Sequence, residues 1–116
     1  MRVRVKLYGI LRSAAEKDII DLECTGNVTV RELVAETVKI VARPVFENYL
    51  IDSDLKDPRP NALILVSGTE IGALEGLDTM LHEGDEVAIL PVAHGGSVFQ
   101  TRRVQRPQAL YWSVQS

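Results

Sequence analysis

Hydrophobic and polar positions alternate from the start of the chain. Over residues 2–8, RVRVKLY, Val3, Val5 and Leu7 fall on one face and Arg2, Arg4 and Lys6 on the other. A period of two is that of a strand with one face on a core and the other in water. Gly9 breaks the pattern, and Ile10 to Ala15 reads as a short connection. Asp18 to Glu23 (DIIDLE) predicts a second strand that closes at the Gly26-Asn27 turn, so the chain opens as a hairpin. The period then changes. Val30, Leu33, Val34, Thr37, Val38 and Val41 recur at helical spacing in VRELVAETVKIVAR, with Glu32, Glu36 and Lys39 off the stripe. Thr29 three residues before Glu32 is a capping box, and Pro44 is expected to end the helix. This stripe is read as the face that covers a sheet.

The second half is strand-rich. Residues 44–61 predict a polar connection with one helical turn around Val45 to Ile51. Ala62 to Val66 (ALILV) is a continuous apolar run, as in a central strand buried on both faces. Ser67-Gly68-Thr69 turns the chain. Ile71 to Leu77 reads as a short edge strand or bulged segment, and Asp78 to Leu81 as one helical turn capped by Asp78. Glu86 to Leu90 is the last strand, with Val87 and Ile89 inward. Strand, strand, helix, strand, short strand, last strand is the order of an α+β roll of the β-grasp (ubiquitin-like) class. It implies a mixed four- to five-stranded sheet with one main helix on one face. The first and last strands would lie side by side in its middle, which puts Gly95-Gly96 beyond the most buried strand.

Composition narrows the function. The 116 residues suffice for one modest core. The net charge of −3 gives no reason to expect nucleic acid, and no apolar run approaches a membrane span. The N-terminus has no signal-peptide pattern and Cys24 is the single cysteine, so a cytoplasmic setting is expected. His82, His94 and Cys24 do not make a metal set. Asp52, Asp54 and Asp57 lack the glycine and distal glutamate of a calcium loop and read as a solvated loop. Cys24 reads as a small, buried apolar residue, with no basic neighbour to activate it. No phosphate loop or nucleophile elbow is present.

The segments VRVKLYGILR, ALILVSG and above all L-x-x-GDEVAILPV-x-x-GG at Leu81 to Gly96 resemble a family, the ubiquitin-like sulfur carriers. The resemblance is to the MoaD/ThiS type: the small subunit of molybdopterin synthase and its archaeal modifier relatives. The long segment 43–61 favours the molybdopterin type over the thiamine type. The resemblance implies a carrier without catalytic residues of its own and with no bound cofactor. Gly96 would be adenylated with ATP by an adenylyltransferase of the ubiquitin-activating, MoeB/ThiF-like kind. Sulfur from a donor would then leave a thiocarboxylate for a MoaE-like large subunit. Gly95 would thread the partner's channel, where a side chain would clash. Tyr8, Arg12, Pro91 and Val92 would dock on the partner.

The chain departs from that family after the diglycine. Ser97 to Ser116 follows, so the Gly96 carboxyl is held in a peptide bond and a protease would have to expose it. We therefore divide the chain into a β-grasp domain, residues 1–96, and an extension, 97–116. Three of the 13 basic residues, Arg102, Arg103 and Arg106, lie in the extension, and all 16 acids lie before it. The extension carries +3 and residues 1–96 carry −6. Leu110-Tyr111-Trp112 would favour packing on this body or on a neighbouring chain, giving a homo-oligomer. Two other functions stay open: a modifier joined to lysines, and a non-conjugating β-grasp interaction module.

Overall fold

The computed structural model describes residues 1–92. Five strands form one mixed sheet in the order β2-β1-β5-β3-β4. The strands are β1 (Arg2–Leu7), β2 (Ile19–Glu23), β3 (Ala62–Val66), β4 (Thr69–Glu70) and β5 (Glu86–Pro91). The two central strands are the first and last: β1 pairs parallel with β5, Val5 opposite Val87 and Leu7 opposite Ile89. β2 lies antiparallel on the far side of β1, and β3 antiparallel on the far side of β5. This is the predicted β-grasp arrangement.

Alternation decides which face is covered. Val3, Val5, Leu7, Ile20, Leu22, Ile64, Val87 and Ile89 point to one side and are buried. Helix α2 (Val30–Val41) covers them with Val30, Leu33, Val34, Thr37 and Val41. Its capping box is complete: Thr29 Oγ1 accepts from the Glu32 N–H at 3.2 Å, and the Glu32 carboxylate accepts from the Thr29 N–H at 2.9 Å. Thr37 is buried without penalty because its hydroxyl donates to the Leu33 carbonyl at 2.8 Å.

The expectation of one main helix is corrected, because among the described residues two further α-helices join α2. Gly9 does break β1, but at φ +57° it turns the chain into α1 (Gly9–Ala15), whose Leu11 and Ala15 enter the core. Pro44 opens a helix as well as closing one. Helix α2 stops at Val41, with Ala42 in the left-handed conformation. Pro44 then starts α3 (Pro44–Leu50), where its missing N–H costs nothing. Phe46 and Leu50 of α3 are fully buried.

Three smaller readings also change. The edge strand is Thr69–Glu70, and Ile71–Ala73 and Gly76–Asp78 are short 3-10 turns; Ile71 and Leu77 are anchored in the core and the glycines bend the chain between them. Asp78 therefore ends a turn instead of capping one. Cys24 is half-buried against the core rather than enclosed. Finally, β3 is covered on one face only. Leu63 is 41% exposed although its neighbours Ala62 and Ile64 are buried, since all the helices lie on the other side.

Candidate functional site

The site is built where the central strands end. β5 ends at Pro91, and the Val92 N–H donates to the Asn61 carbonyl at 3.1 Å, which holds the last described residue beside the start of β3. Next to it, β1 ends at Tyr8, whose N–H donates to the Ile89 carbonyl at 3.3 Å. Gly9 follows directly against Pro91. A Cβ at Gly9 would stand 2.9 Å from Pro91 Cγ and would also suffer the positive φ. Glycine is required there by both contact and conformation. Helix α1 starts from this point, with the Leu11 and Arg12 N–H groups donating to the Tyr8 carbonyl.

Tyr8, Arg12, Pro91 and Val92 are thus brought to one end of the sheet. Tyr8 and Val92 are each 36% exposed, Arg12 is exposed and Pro91 half-buried. Lys6 sits with Nζ 5.8 Å from the centre of the Tyr8 ring. Its ammonium is held above its ordinary pKa, first by the Tyr8 hydroxyl and then by Glu86, whose carboxylate is 3.6 Å away. Gly95, Gly96 and His94 lie outside the described residues, as does the whole extension.

Sequence reasoning missed the surface that continues from these residues. On the open face of the sheet, Leu63 stands opposite Leu90 and Leu65 opposite Ala88. Together with Tyr8 and Val92 they make an apolar patch beside the exit of β5. The signal was ALILV itself. A wholly apolar strand in a sheet with one helical layer must show its second face to something other than its own core.

The remaining candidates carry no site chemistry. The Asp52 carboxylate accepts from the Asp54 and Leu55 N–H groups, and Asp57 chelates the Arg59 guanidinium, so these acids are a self-bonded loop. The Arg59 hydrogen bond keeps Asp57 below its usual carboxylate range. His82 lies 3.8 Å from Asp85 at an exposed turn. Among the described residues no group of three histidine, cysteine or carboxylate side chains could hold a metal ion, and no helix is long and apolar enough to cross a membrane.

Comparison with known proteins decides the family. The profile described as the ThiS family matches residues 5–96, through the diglycine. The chain belongs to the ThiS family. An Archaeoglobus fulgidus protein assigned as a sulfur carrier is 34% identical over 77 residues, 66% of this chain and 84% of that protein. The solution structure of small archaeal modifier protein 1 from Methanosarcina acetivorans is similar, with TM-score 0.68 and 28% identity, covering 82% of this chain and 96% of that one. The same fold occurs in the BexX/CysO complex of Amycolatopsis orientalis, with TM-score 0.59 and 22% identity, covering 81% of this chain and 99% of that one. This ThiS-family chain is therefore a ubiquitin-like protein of the sulfur-carrier and modifier group.

Proposed function

We propose that this chain is a sulfur carrier of the molybdopterin-synthase small-subunit type, made with an extension that is removed after Gly96. The observation that carries the reading is the exit of β5. The most firmly held strand ends at Pro91, five residues before Gly96, beside an apolar patch that a partner can cover.

Hydrolysis of the Gly96–Ser97 bond frees the Gly96 carboxylate. That carboxylate attacks the α-phosphate of ATP on a MoeB/ThiF-like adenylyltransferase, giving the acyl-adenylate and releasing pyrophosphate. Sulfur from a donor at the sulfide oxidation level then displaces AMP, and the thiocarboxylate passes its sulfur to a precursor held by a MoaE-like large subunit, with oxygen from water taking its place and restoring the Gly96 carboxylate. The chain's own residues orient and present. Gly95 and Gly96 are slender enough for a narrow channel, and Tyr8, Arg12, Pro91, Val92 and the adjoining leucines dock. That CysO was solved in complex with BexX supports a carrier role exercised through a protein partner.

The modifier reading is favoured by the likeness to small archaeal modifier protein 1, and it uses the same activated carboxyl with a lysine amine as acceptor. Intact mass spectrometry of the protein from its native cell tests both. The carrier reading expects a species ending at Gly96 and heavier by the difference between sulfur and oxygen. Conjugates on lysines would move the assignment to the modifier. Full-length chain alone would overturn both and leave an interaction module.

A further inference from the structure

Strand β2 is an edge of the sheet, and its free side is defined. Cys24 and Met1 exchange both backbone hydrogen bonds, at 2.7 and 2.8 Å, and the Leu7 N–H donates to the Asp18 carbonyl at 2.8 Å. Alternation along an antiparallel pair then directs the N–H and C=O groups of Leu22 and Ile20 to β1. Those of Ile19, Asp21 and Glu23 point away from the sheet, and among the described residues nothing pairs with them. Beside this edge, between β2 and α2, runs a groove of about 480 Å³. Val28, Ile40 and the Cys24 side chain give it an apolar floor and Glu23, Glu32 and Glu36 an acidic rim; Glu23 is paired with Arg2 at 2.7 Å and Glu36 with Lys39 at 3.8 Å, while among the described residues Glu32 has no ion pair. An unpaired edge beside an apolar, charged groove is the arrangement that accepts an added strand.

We propose that this edge is the docking site of the chain's own arginine-bearing extension, residues 97–106, which adds to β2 as a sixth strand. Three observations select it over a foreign peptide. The segment SVFQTRRVQR has three arginines, no acid and no proline, to match a rim of carboxylates. It is rich enough in valine, threonine and phenylalanine to suit a ladder. It can also reach. The chain departs at Val92, at the end of the sheet where β2 begins, since Lys6 of β1 lies opposite Ile19. From β5 past β1 and β2 to a new strand is three spacings, about 14 Å. The five residues from Val92 to Ser97 span about 17 Å when extended. Added in this way, the strand runs parallel to β2. The carboxyl side of Gly96 is drawn along the edge until the extension is cut, so the full chain is an occluded form.

The inference does not depend on sulfur chemistry, and its test needs no partner enzyme. Amide hydrogen exchange is followed by NMR at Asp21 and Glu23 in the full chain and in the variant R102E/R103E/R106E. The expected result is exchange at least about tenfold slower in the parent than in the variant, with protection independent of protein concentration. Alkylation of Cys24, on the groove floor, should be slower in the parent to the same degree. Equal, fast exchange in both proteins would overturn the proposal, and so would equal protection in both, since the arginines would then be irrelevant. Protection that rises with concentration would place the extension on a second copy and overturn the intramolecular form.

Discussion

The open face of the sheet has two halves built on opposite principles. At the β1–β2 side, polar groups satisfy one another. Arg2 bonds Glu23 at 2.7 Å and Arg4 bonds Asp21 at 2.8 Å, each across directly paired residues. At the β3–β5 side, Leu63, Leu65 and Leu90 meet water. The first half is complete as it stands; the second is complete only when something covers it. Cross-strand charge pairs in water contribute little energy, yet they fix register and discourage association. An uncovered apolar half beside the exit of the arm does the reverse, so a partner is directed to one half of a face whose strands run continuously through both.

Adjacent residues of β5 give the sharpest test of that division. Ile89 is fully buried beneath the helices, whereas Leu90 is half-buried on the open face. Ile89→Ala should cost about 2–5 kcal/mol in chemical denaturation. Leu90→Ala should cost about 1 kcal/mol or less. Similar losses at both positions would mean the open face is packed more tightly than its exposure indicates.

A smaller effect is expected when the two halves are compared in function. Leu63→Asp should leave the denaturation midpoint close to that of the parent and weaken association with the adenylating partner proposed above about tenfold or more. Arg4→Ala on the charged half should leave association within about twofold. Calorimetric titration of the processed chain with that partner distinguishes them, and equal losses would merge the halves into one surface.

The smallest effect concerns protons. The Arg4 hydrogen bond holds Asp21 below the usual carboxylate range, and the Arg2 hydrogen bond does the same for Glu23. A folded-state pKa below the unfolded one gives stability that is present above the unfolded value and is lost as the pH falls through the folded value. Carboxylate chemical shifts followed during acid titration should therefore move later for Asp21 than for a free aspartate. In Arg4→Ala the Asp21 midpoint should rise. No change on that substitution would show the pair to be decorative.

The legible parts of the fold were those in which a local rule and the tertiary demand agree. The alternation of Val3, Val5 and Leu7 and the Thr29–Glu32 box needed no context. Helices α1 and α3 did. Each has seven residues, too short to be stable on local propensity, and each forms because Leu11 and Ala15, or Phe46 and Leu50, close the core over the sheet. Gly9 and Pro44 read as breakers because their usual effect is to stop an element. Here the positive φ of one and the missing N–H of the other start a helix instead. The site was half legible. The resemblance brought out Tyr8, Arg12, Pro91 and Val92, but Leu63 and Leu90 needed the sheet order, since only the strand pairing puts them opposite one another.

The parallel pairing of β1 with β5 also has a mechanical meaning. Arg2 begins one strand and Pro91 ends the other, and the two lie side by side, with Arg4 to Leu7 matched to Glu86 to Ile89. Traction on the segment after Val92, opposed by a grip on the start of β1, would load all of these hydrogen bonds together in shear. Peeling would break them singly, but the direction of pull does not permit it. A pull on the segment after Val92 while the start of β1 is held therefore acts along the domain's most resistant axis.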